Sequence, residues 1–313
     1  MTRKLLLDVD PGLDDALAVL MALGNDSVEV TGLTTVMGNT TIDNTTRNAL
    51  ALLEFVGRSD VPVARGAARP LADDLVMAEY VHGPGGVPEP VRDVLPEPTT
   101  RPVDAHAATF IVEQAHEYGE ELTIAAVGPQ TNVALALALE PELPDLIGGV
   151  HQMGGALKTT GNVTPQASFN FYVDAAAASR VVQEASPHVV GLDVTEPGYL
   201  PPELHDTFAD GTEYGRMIFD VLDYKAQGPD GVVAEGGAIV SDSVVLAGML
   251  DADVLTFEDA YVEIDTSGGP SNGATVYDEH GVYGEDPNCH AALNVDVDRC
   301  RDVIVSSLKS AAP

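Results

Sequence analysis

The residues best suited to chemistry lie in the stretch D-V-D-P-G-L-D-D-A, which runs from Asp8 to Ala16 and follows the apolar run L-L-L. Four carboxylates, Asp8, Asp10, Asp14 and Asp15, fall within eight positions. Like charges at this spacing repel each other, and each resists losing its water. The first two point to the same side of a strand, and the other two open a helix after the Pro-Gly turn. We therefore expect a positive partner among these carboxylates.

Helix capping and metal binding are the two explanations for this cluster. Acidic residues are favoured at a helix N-terminus, so one or two of the four could serve only as caps. A hard cation accounts for the rest, because Ca²⁺ and Mg²⁺ bind carboxylate and carbonyl oxygens and no Cys or His cluster indicates a softer metal. The spacing therefore favours a metal site over capping alone.

A D-x-D motif at the end of a first strand also has a use in phosphoryl transfer, with the first Asp as nucleophile and Mg²⁺ as cofactor. This arrangement resembles the haloacid-dehalogenase-like phosphatases, which have Thr or Val shortly after the second Asp, then a distant Lys and another acidic pair. Here Pro11 and Gly12 follow instead, and the second acidic pair comes at once. The phosphatase is therefore the less favoured enzyme.

Repeated strand-helix units are expected to position the cluster. Apolar runs such as K-L-L-L-D-V-D and V-E-V-T-G-L-T-T-V indicate strands, and helical periodicity follows each of them. Further strands (V-P-V-A-R-G, E-L-T-I-A-A-V, G-G-V-H-Q-M, H-V-V-G-L-D) and a helix from about Thr131 to Leu139 continue the pattern. The alternation predicts an α/β fold, with a central, mostly parallel sheet and helices on both faces. Ligands of such sheets bind at the carboxyl ends of the strands, where Asp10, Asn39 and Val127 are expected.

Three segments depart from the strand-helix pattern. Residues 66–102 are rich in Pro and Gly, and residues 227–237 are rich in Gly, so both are predicted to be loops of the kind that often form lids. Residues 261–297 combine strands with turns and predict a small antiparallel addition to the edge of the sheet. Because there is no internal repeat and no clear linker, residues 1–313 are expected to form a single domain.

The charge balance is strongly acidic, since 49 acidic and 15 basic residues give a net charge of -34. The acids are spread along the chain rather than gathered in a tail, which favours a solvated surface adapted to high salt. Nucleic-acid binding needs a basic face and is not expected. Two cysteines and no long apolar stretch predict a soluble, cytoplasmic protein without a disulfide framework or a membrane span.

The stretch D-V-D-P-G-L-D-D resembles the D-x-D-P-G-x-D-D signature of the inosine-uridine-preferring nucleoside hydrolases. Similarity continues along nearly the whole chain, in T-T-V-M-G-N-T, V-H-G-P-G-G, A-V-G-P-Q-T-N-V-A-L, G-N-V-T-P-Q-A-S-F-N-F-Y-V-D and P-N-C-H-A-A-L-N-V-D. The resemblance implies a Ca²⁺-dependent hydrolase that cleaves the N-glycosidic bond of purine or pyrimidine ribonucleosides with water. It also implies a homo-oligomer, either a dimer or a tetramer. Carboxylates would stabilise the positive charge of an oxocarbenium-like transition state, and the metal would lower the pKa of the water.

The resemblance implies roles for individual residues. Asp10, Asp15 and Asp242 would bind the metal through carboxylates and Val127 through its carbonyl, and Asp10 would also be the general base. His82, in the segment V-H-G-P-G-G, is the candidate that would assist the leaving base. The residues that would hold the ribose are Asp14, Asn39, Asn162, Ser168, Asn170 and Asp242.

Two positions depart from the family pattern. Ser168 stands where the family usually has a Glu at the 5′ end of the ribose, and it can form a hydrogen bond but adds no charge. Ser241 stands where many members have a His that could protonate the leaving base, and serine does not titrate near neutral pH. His82 is the nearest substitute and Tyr224 is a further candidate. The departures leave open a hydrolase of a non-standard N-riboside, or a metal-dependent ribose-binding or nucleoside-binding protein with weak or lost turnover.

Overall fold

The computed structural model of the protein describes residues 2–228 and 236–313. The strands in these ranges are β1 (Arg3–Val9), β2 (Val28–Thr35), β3 (Val63–Arg65), β4 (Leu122–Ala126), β5 (Gly149–Met153), β6 (His188–Val190), β7 (Leu255–Ala260), β8 (Val262–Ile264), β9 (Thr275–Tyr277) and β10 (Cys289–Val295). The α-helices are α1 (Leu13–Leu23), α2 (Ile42–Phe55), α3 (Glu79–His82), α4 (Glu89–Arg92), α5 (Ala107–Tyr118), α6 (Thr131–Leu139), α7 (Leu143–Leu146), α8 (Phe169–Val173), α9 (Ala175–Ala185), α10 (Leu192–Thr195), α11 (Pro202–His205), α12 (Glu213–Gln227), α13 (Ser241–Leu250) and α14 (Val297–Ser310).

The central sheet contains eight strands in the order β3-β2-β1-β4-β5-β6-β10-β7. Its neighbouring strands run parallel, apart from the antiparallel pair of β10 with β7. Strands β8 and β9 form a separate antiparallel pair. The predicted α/β fold, with a mostly parallel sheet and a small antiparallel addition, is confirmed.

Alternate side chains of β1 pack into two apolar cores on the two faces of the sheet. Leu5 and Leu7 belong to a core that includes residues of α1, α13 and α14. Leu6 belongs to a second core with Ile111 of α5 and Val133 of α6. All three leucines are completely buried, as expected for a central parallel strand covered on both sides. The L-L-L run therefore anchors the carboxylates that follow it.

The end of the chain differs from the prediction for residues 261–297. Strands β8 and β9 do form the antiparallel addition, but β10 lies inside the main sheet, between β6 and β7. Its Ala291 and Ala292 are fully buried in different apolar cores, Ala291 with residues of α9 and Ala292 with residues of α13 and α14. The edge strand next to β10 is β7, whose residues precede the segment predicted to form the addition at the edge.

Two shorter predictions are also refined. The segment H-V-V-G-L-D is a strand only as far as Val190, and α10 begins at Leu192. The predicted loop at 66–102 contains α3, α4 and a 3-10 turn at Pro84–Gly86. The predicted loop at 227–237 lies mostly outside the described residues. The helix predicted at Thr131–Leu139 is confirmed as α6.

The parallel register brings several chain segments to one edge of the sheet. Val9 of β1 pairs with Thr35 of β2, and Asp8 of β1 pairs with Ala126 of β4. The residues that follow these three strand ends therefore lie side by side, beside the N-terminus of α1. Within the described ranges, no helix combines the length and the apolar character needed to cross a membrane.

Candidate active site

A cavity of about 160 Å³ opens at this edge of the sheet. The turn after β1, the loop after β2, the end of β4 and the start of α13 all contribute to its wall. The residues predicted from the sequence that line this cavity are Asp10, Asp14, Asn39, His82, Val127, Asn162, Asn170 and Asp242. The structure therefore brings together residues from positions 10 to 242 at the carboxyl ends of the strands.

Asp15 lies directly behind the cavity wall and organises the turn before α1. Its Oδ1 accepts a hydrogen bond from the Asp10 amide at 3.0 Å, and its Oδ2 accepts one from the Gly12 amide at 3.0 Å. The side-chain amide of Asn39 also donates to Oδ2, at 3.0 Å. Capping therefore accounts for part of the function of Asp15, as one of the two explanations predicted.

The Pro-Gly turn needs glycine because other side chains pack closely against it. A Cβ atom on Gly12 would lie 2.4 Å from Nδ1 of His82 and 2.8 Å from Nδ2 of Asn39. Any side chain at this position would push both residues out of place. The glycine of D-P-G thus allows His82 and Asn39 to reach the carboxylates.

Asn39 holds Asp10 through two further contacts. Its backbone amide donates to Oδ2 of Asp10 at 2.7 Å, and its side-chain amide donates to the Asp10 carbonyl at 3.1 Å. Asp10 and Asp15 are 1% and 0% exposed, so their charges are well removed from water. Asn39 therefore has a defined structural role beside two buried acids, rather than serving only as a turn residue.

Asp14 has a different environment from the other acids. Its Oδ1 lies 3.0 Å from Nζ of Lys225, which comes from α12. Nδ1 of His82 is 3.8 Å from the same oxygen. That ring nitrogen accepts a hydrogen bond from the Leu13 amide at 3.1 Å, so it carries no proton to donate to Asp14. Lys225 is thus the hydrogen-bond donor to this carboxylate.

Burial sets the protonation of the cluster. It raises the pKa of Asp10 and of Asp242 well above the usual range, and nearby carboxylates add to the shift. Burial and the charge of Asp14 raise the pKa of Asp15 to about 6. Burial would also raise the pKa of Asp14, but the positive charge of Lys225 lowers it below the usual value. Three of the four acids therefore lack sufficient positive charge around them.

These acids fit a metal ion. Carboxylate oxygens of Asp14, Asp15 and Asp242 lie within 4.8 Å of one another. They are hard oxygen donors, and the raised pKa values of two of them are the sign of a cluster that favours a cation. The carboxylates predicted from the sequence to bind the metal were Asp10, Asp15 and Asp242, whereas the three that lie together here are Asp14, Asp15 and Asp242. The structure places Asp10 beside the group, with Oδ2 engaged by the Asn39 amide.

Amides and carbonyls also contribute to the cavity wall. Nδ2 of Asn170 donates to the Val127 carbonyl at 2.5 Å and to the Met153 carbonyl at 3.2 Å. Asn162 also lines the cavity, and its Oδ1 accepts a hydrogen bond from the Phe169 amide at 2.9 Å. These contacts orient both asparagine side chains at the cavity wall.

Besides Asp15, which lies behind the wall, the predicted residues Ser168 and Tyr224 do not line the cavity. Ser168 is completely buried at the start of α8, and its Oγ accepts a hydrogen bond from the Gly155 amide at 2.7 Å. The hydroxyl is turned into the protein and away from the cavity, so contact of Ser168 with the sugar stays a prediction. Tyr224 packs against the larger apolar core instead of lining the cavity. Ser241 does line the cavity, with its Oγ 3.3 Å from Oγ1 of Thr195.

Sequence analysis missed two charged residues of the cavity wall, Lys225 and Glu196. Lys225 directly follows Tyr224, and the helical turn of α12 points the lysine rather than the tyrosine to the cavity. The available signal was a lysine in a chain with few basic residues, next to a Gly-rich segment. Glu196 comes at the end of α10 and had no comparable signal.

Comparisons with known proteins agree with this fold and site. The family model described as inosine-uridine preferring nucleoside hydrolase matches residues 5–302. The pyrimidine-specific ribonucleoside hydrolase RihA of Escherichia coli is 38% identical over 312 residues, covering 99% of both chains. That of Citrobacter koseri is 39% identical over 302 residues, covering 96% of this chain and 95% of the relative. A solved structure of a purine-preferring ribonucleoside hydrolase from Gardnerella vaginalis superposes with a TM-score of 0.91 at 29% identity, covering 99% of both chains.

This fold and these relatives define an N-glycosyl hydrolase of the α/β class. The chain belongs to the inosine-uridine preferring nucleoside hydrolase family. Hydrolysis of ribonucleosides is therefore its reaction class, and the phosphatase alternative no longer applies.

Proposed function

We propose that this enzyme uses one Ca²⁺ ion and the carboxylate cluster to hydrolyse the N-glycosidic bond of pyrimidine ribonucleosides, giving free base and ribose. The observation that carries this proposal is the convergence of four buried carboxylates at one cavity, three on its wall (Asp10, Asp14 and Asp242) and Asp15 directly behind it. A cluster of this charge is costly to bury without a cation, and a ribose ring that becomes positive in the transition state needs anionic surroundings. Both requirements are met by the same residues.

The residues that would hold Ca²⁺ are those of the acidic wall. Asp15 and Asp242 would contribute carboxylates, and Asp10 lies beside them. Val127 would contribute its carbonyl, which has two lone pairs and can accept the Asn170 amide and still face a cation. When bound, the ion would supply a positive charge that makes water easier to deprotonate.

Asp10 would be the general base. Asn39 fixes its carboxylate through the backbone amide, so its orientation toward the cavity is maintained. Water adds to C1′ of the ribose as it transfers a proton to Asp10, and the bond from C1′ to the base breaks. The electron pair of that bond leaves with the base, which then needs a proton or a hydrogen-bond donor.

The sugar would be held by amides and carboxylates in the same cavity. Asp14, Asn39, Asn170 and Asp242 would contact the 2′- and 3′-hydroxyls, and Asn162 would lie at the 5′ side. Ionised carboxylates accept hydrogen bonds from hydroxyls and stabilise positive charge on the ring. The positions of all five residues on the cavity wall support this assignment.

His82 would assist the leaving base as a hydrogen-bond donor. Burial lowers the pKa of His82 to about 4, so its ring is neutral at pH 7. Because Nδ1 accepts from the Leu13 amide, the single proton of the neutral ring is on Nε2. Ser241 adds a hydroxyl to the same cavity but no titratable acid. Such a site is suited to bases that leave without full protonation.

The pyrimidine preference rests on similarity of sequence. The relatives at 38% and 39% identity carry the name pyrimidine-specific, whereas the structural neighbour named purine-preferring is 29% identical. Ser241 replaces the usual family His, so a non-standard N-riboside is the second candidate substrate.

Release of reducing sugar from a panel of purine and pyrimidine ribonucleosides tests the proposal. The assay is run in high KCl, because the net charge of -34 is best screened there, with Ca²⁺ present or removed by a chelator. We expect the fastest release from uridine or cytidine, loss of release with the chelator, and recovery when Ca²⁺ is added back. Release that a chelator does not affect would exclude the metal, and release from purines alone would exclude the pyrimidine preference. An absence of release from the whole panel would favour a non-standard riboside.

We also propose that the enzyme works in the cytoplasm. Cys289 and Cys300 are buried and unpaired, which is compatible with a reducing compartment. The homo-oligomer and the single domain remain predictions, which light scattering and limited proteolysis would test.

A further inference from the structure

Lys225 is the only Lys or Arg among the described residues that line the cavity. It lies in the last turn of α12, and its side chain is only 10% exposed. Four carboxylates, those of Asp10, Asp14, Glu196 and Asp242, share the wall with it. A buried lysine in this position has lost rotamer freedom and hydration, so a specific contact must stabilise it.

That contact is with Asp14 alone among the acids of the cluster. Nζ of Lys225 lies 3.0 Å from Oδ1 of Asp14, and no other donor within the described part of the chain reaches this carboxylate through a side chain. The neighbouring His82 ring cannot donate from the nitrogen that faces Asp14. Asp14 therefore has its own cation, whereas Asp15 is held by backbone and amide N–H groups.

The position of Asp14 makes this pairing consequential. One of its oxygens lies within 4.8 Å of oxygens from Asp15 and Asp242. Without Lys225, the nearest cation available to Asp14 would be a metal held by those two acids. A carboxylate that turns to a metal is no longer free to accept hydrogen bonds from a sugar hydroxyl.

We propose that Lys225 is a positioning residue that keeps Asp14 out of the metal's coordination shell and available to the sugar diol. The inference rests on the proposed function, since it divides the cluster into acids for the metal and one acid for the ribose. Lys225 also lowers the affinity of the site for cations, because its charge repels them. Its removal should therefore have opposite effects on the two ligands.

Two binding measurements on the whole protein test the inference. Isothermal titration gives the affinity for Ca²⁺ of the metal-stripped enzyme and the affinity for D-ribose of the Ca²⁺-saturated enzyme. In Lys225→Met we expect Ca²⁺ to bind about fivefold more tightly and ribose about tenfold more weakly, from loss of a buried charge and of an oriented acceptor. Lys225→Arg, which retains the charge, should stay within about threefold of the wild type for both ligands.

Arg216→Met is the matched control. Arg216 lies on the same helix and loses the same charge, but its side chain is 66% exposed and pairs only with Asp220 along α12. It should leave both affinities unchanged. If Lys225→Met weakens both ligands equally, the residue has a merely structural role, and if ribose affinity is unchanged, the positioning role is wrong.

Asp14→Asn provides a second test that does not depend on the folding of the lysine variants. It should weaken ribose binding by at least about tenfold and weaken Ca²⁺ binding by only about fivefold, the electrostatic counterpart of removing the lysine charge. A loss of Ca²⁺ binding in this variant would make Asp14 a metal ligand and overturn the inference. A wild-type protein that binds both ligands but releases no sugar from nucleosides would contradict the proposed function alone. A wild-type protein that binds neither ligand would contradict both.

Discussion

The carboxylate cluster (Asp10, Asp14, Asp15 and Asp242) lies at the carboxyl edge of the central sheet, a row of histidines lies within that sheet, and the two regions respond to burial in opposite ways. The row consists of His151, His188 and His290, which are in register across β5, β6 and β10. Burial favours the neutral form of every ionisable group, so it makes acids retain protons and histidines release them. The two regions thus differ in whether neutrality is compatible with function.

Two histidines of the row, His151 and His188, become neutral without a ligand. The rings of His151 and His188 stack at 4.3 Å, and the rings of His188 and His290 lie 4.8 Å apart. Burial lowers the pKa of His151 to about 3 and that of His188 to about 4, and the neighbouring imidazoles add to both shifts. Phe257 packs edge-on against His188, and Asp259 accepts from Nδ1 of His290 at 2.7 Å. His151 and His188 are therefore a stacked, uncharged pair within the sheet at neutral pH.

The carboxylate cluster cannot use the same solution. A protonated acid binds a metal poorly and cannot accept a proton from water, so the cluster needs cations to remain ionised. Lys225 provides one for Asp14, and hydrogen bonds from N–H groups support Asp15. Burial therefore has different consequences in the two regions. A buried group that can become neutral needs no partner and contributes to packing, whereas a buried group that must stay charged for function needs a cation or hydrogen-bond donors beside it.

Substitution of Asp10 by Asn should have the largest effect, because it removes the general base while keeping the size and the burial of the side chain. We expect hydrolysis to fall by at least about 10³-fold. Initial rates of sugar release at saturating nucleoside measure this loss. Asp26→Asn, an identical change at an exposed position before β2, should leave the rate unchanged. Normal turnover in Asp10→Asn would contradict the role of Asp10 as general base and would leave the cluster, like the histidine row, without a chemical function.

Stabilisation by Ca²⁺ should depend on pH, because the cluster must lose protons to bind it. The pKa of Asp15 is raised to about 6 in the folded protein without metal, so its stabilising contribution is present below about pH 4 and is lost as pH rises through 6. Ca²⁺ reverses that loss. We expect Ca²⁺ to stabilise the fold by about 2 kcal/mol more at pH 7 than at pH 5.

Denaturant unfolding at constant KCl, with Ca²⁺ or with a chelator, measures this difference. Mg²⁺ at the same concentration serves as the control for ionic strength and for the choice of metal. Equal stabilisation at the two pH values would show that metal binding is not coupled to protonation of these acids.

Substitution of His151 by Phe should weaken the acid sensitivity of the fold. Because the pKa of His151 is about 3 in the folded protein and near 6.5 when unfolded, its contribution is present above pH 6.5 and is lost as pH falls toward 3. Phe keeps the stacked ring but cannot be protonated. The loss of unfolding free energy between pH 7 and pH 4.5 should shrink by about 1 to 2 kcal/mol.

Urea unfolding at the two pH values measures this change, and the exposed His280→Phe is the matched control. Hydrolysis at pH 7 should be the same as in the wild type, because the row does not line the cavity. If His151→Phe lost hydrolysis but kept the acid sensitivity of the wild type, the histidine row would have a functional role and the difference from the carboxylate cluster would be wrong.

Substitution of Ser168 by Ala should have the smallest effect and defines the boundary of the site. The Ser168 hydroxyl accepts a hydrogen bond from the Gly155 amide in the protein interior. Loss of this hydrogen bond should lower the free energy of unfolding by about 1 kcal/mol. KM for the nucleoside should change by less than about twofold, since the side chain does not line the cavity. Asn162→Ala, at the cavity wall, should raise KM and serves as the comparison. A large increase of KM in Ser168→Ala would support the sugar contact predicted from the sequence.

Much of the site could be predicted because its residues lie in short motifs next to strand ends. D-x-D-P-G-x-D-D follows a buried apolar run, and in a parallel sheet the end of such a strand is a ligand-binding position. Asn39 and Val127 could be placed by the same reasoning. Ser168 could not, because a motif specifies the position of a residue in the chain but not whether its hydroxyl faces the cavity or the Gly155 amide.

The amino-acid sequence by itself determined the α/β class, the family and the carboxylate cluster, because hydrophobic period and local motifs act over short distances along the chain. Only the tertiary structure decided how the charges of that cluster are divided. Lys225 is 211 positions from Asp14 in the chain, yet its Nζ lies 3.0 Å from that carboxylate. The alignment of the three histidines likewise depends on the register of strands far apart in sequence. Electrostatic interactions depend on distance in space, and the folding of the chain sets that distance.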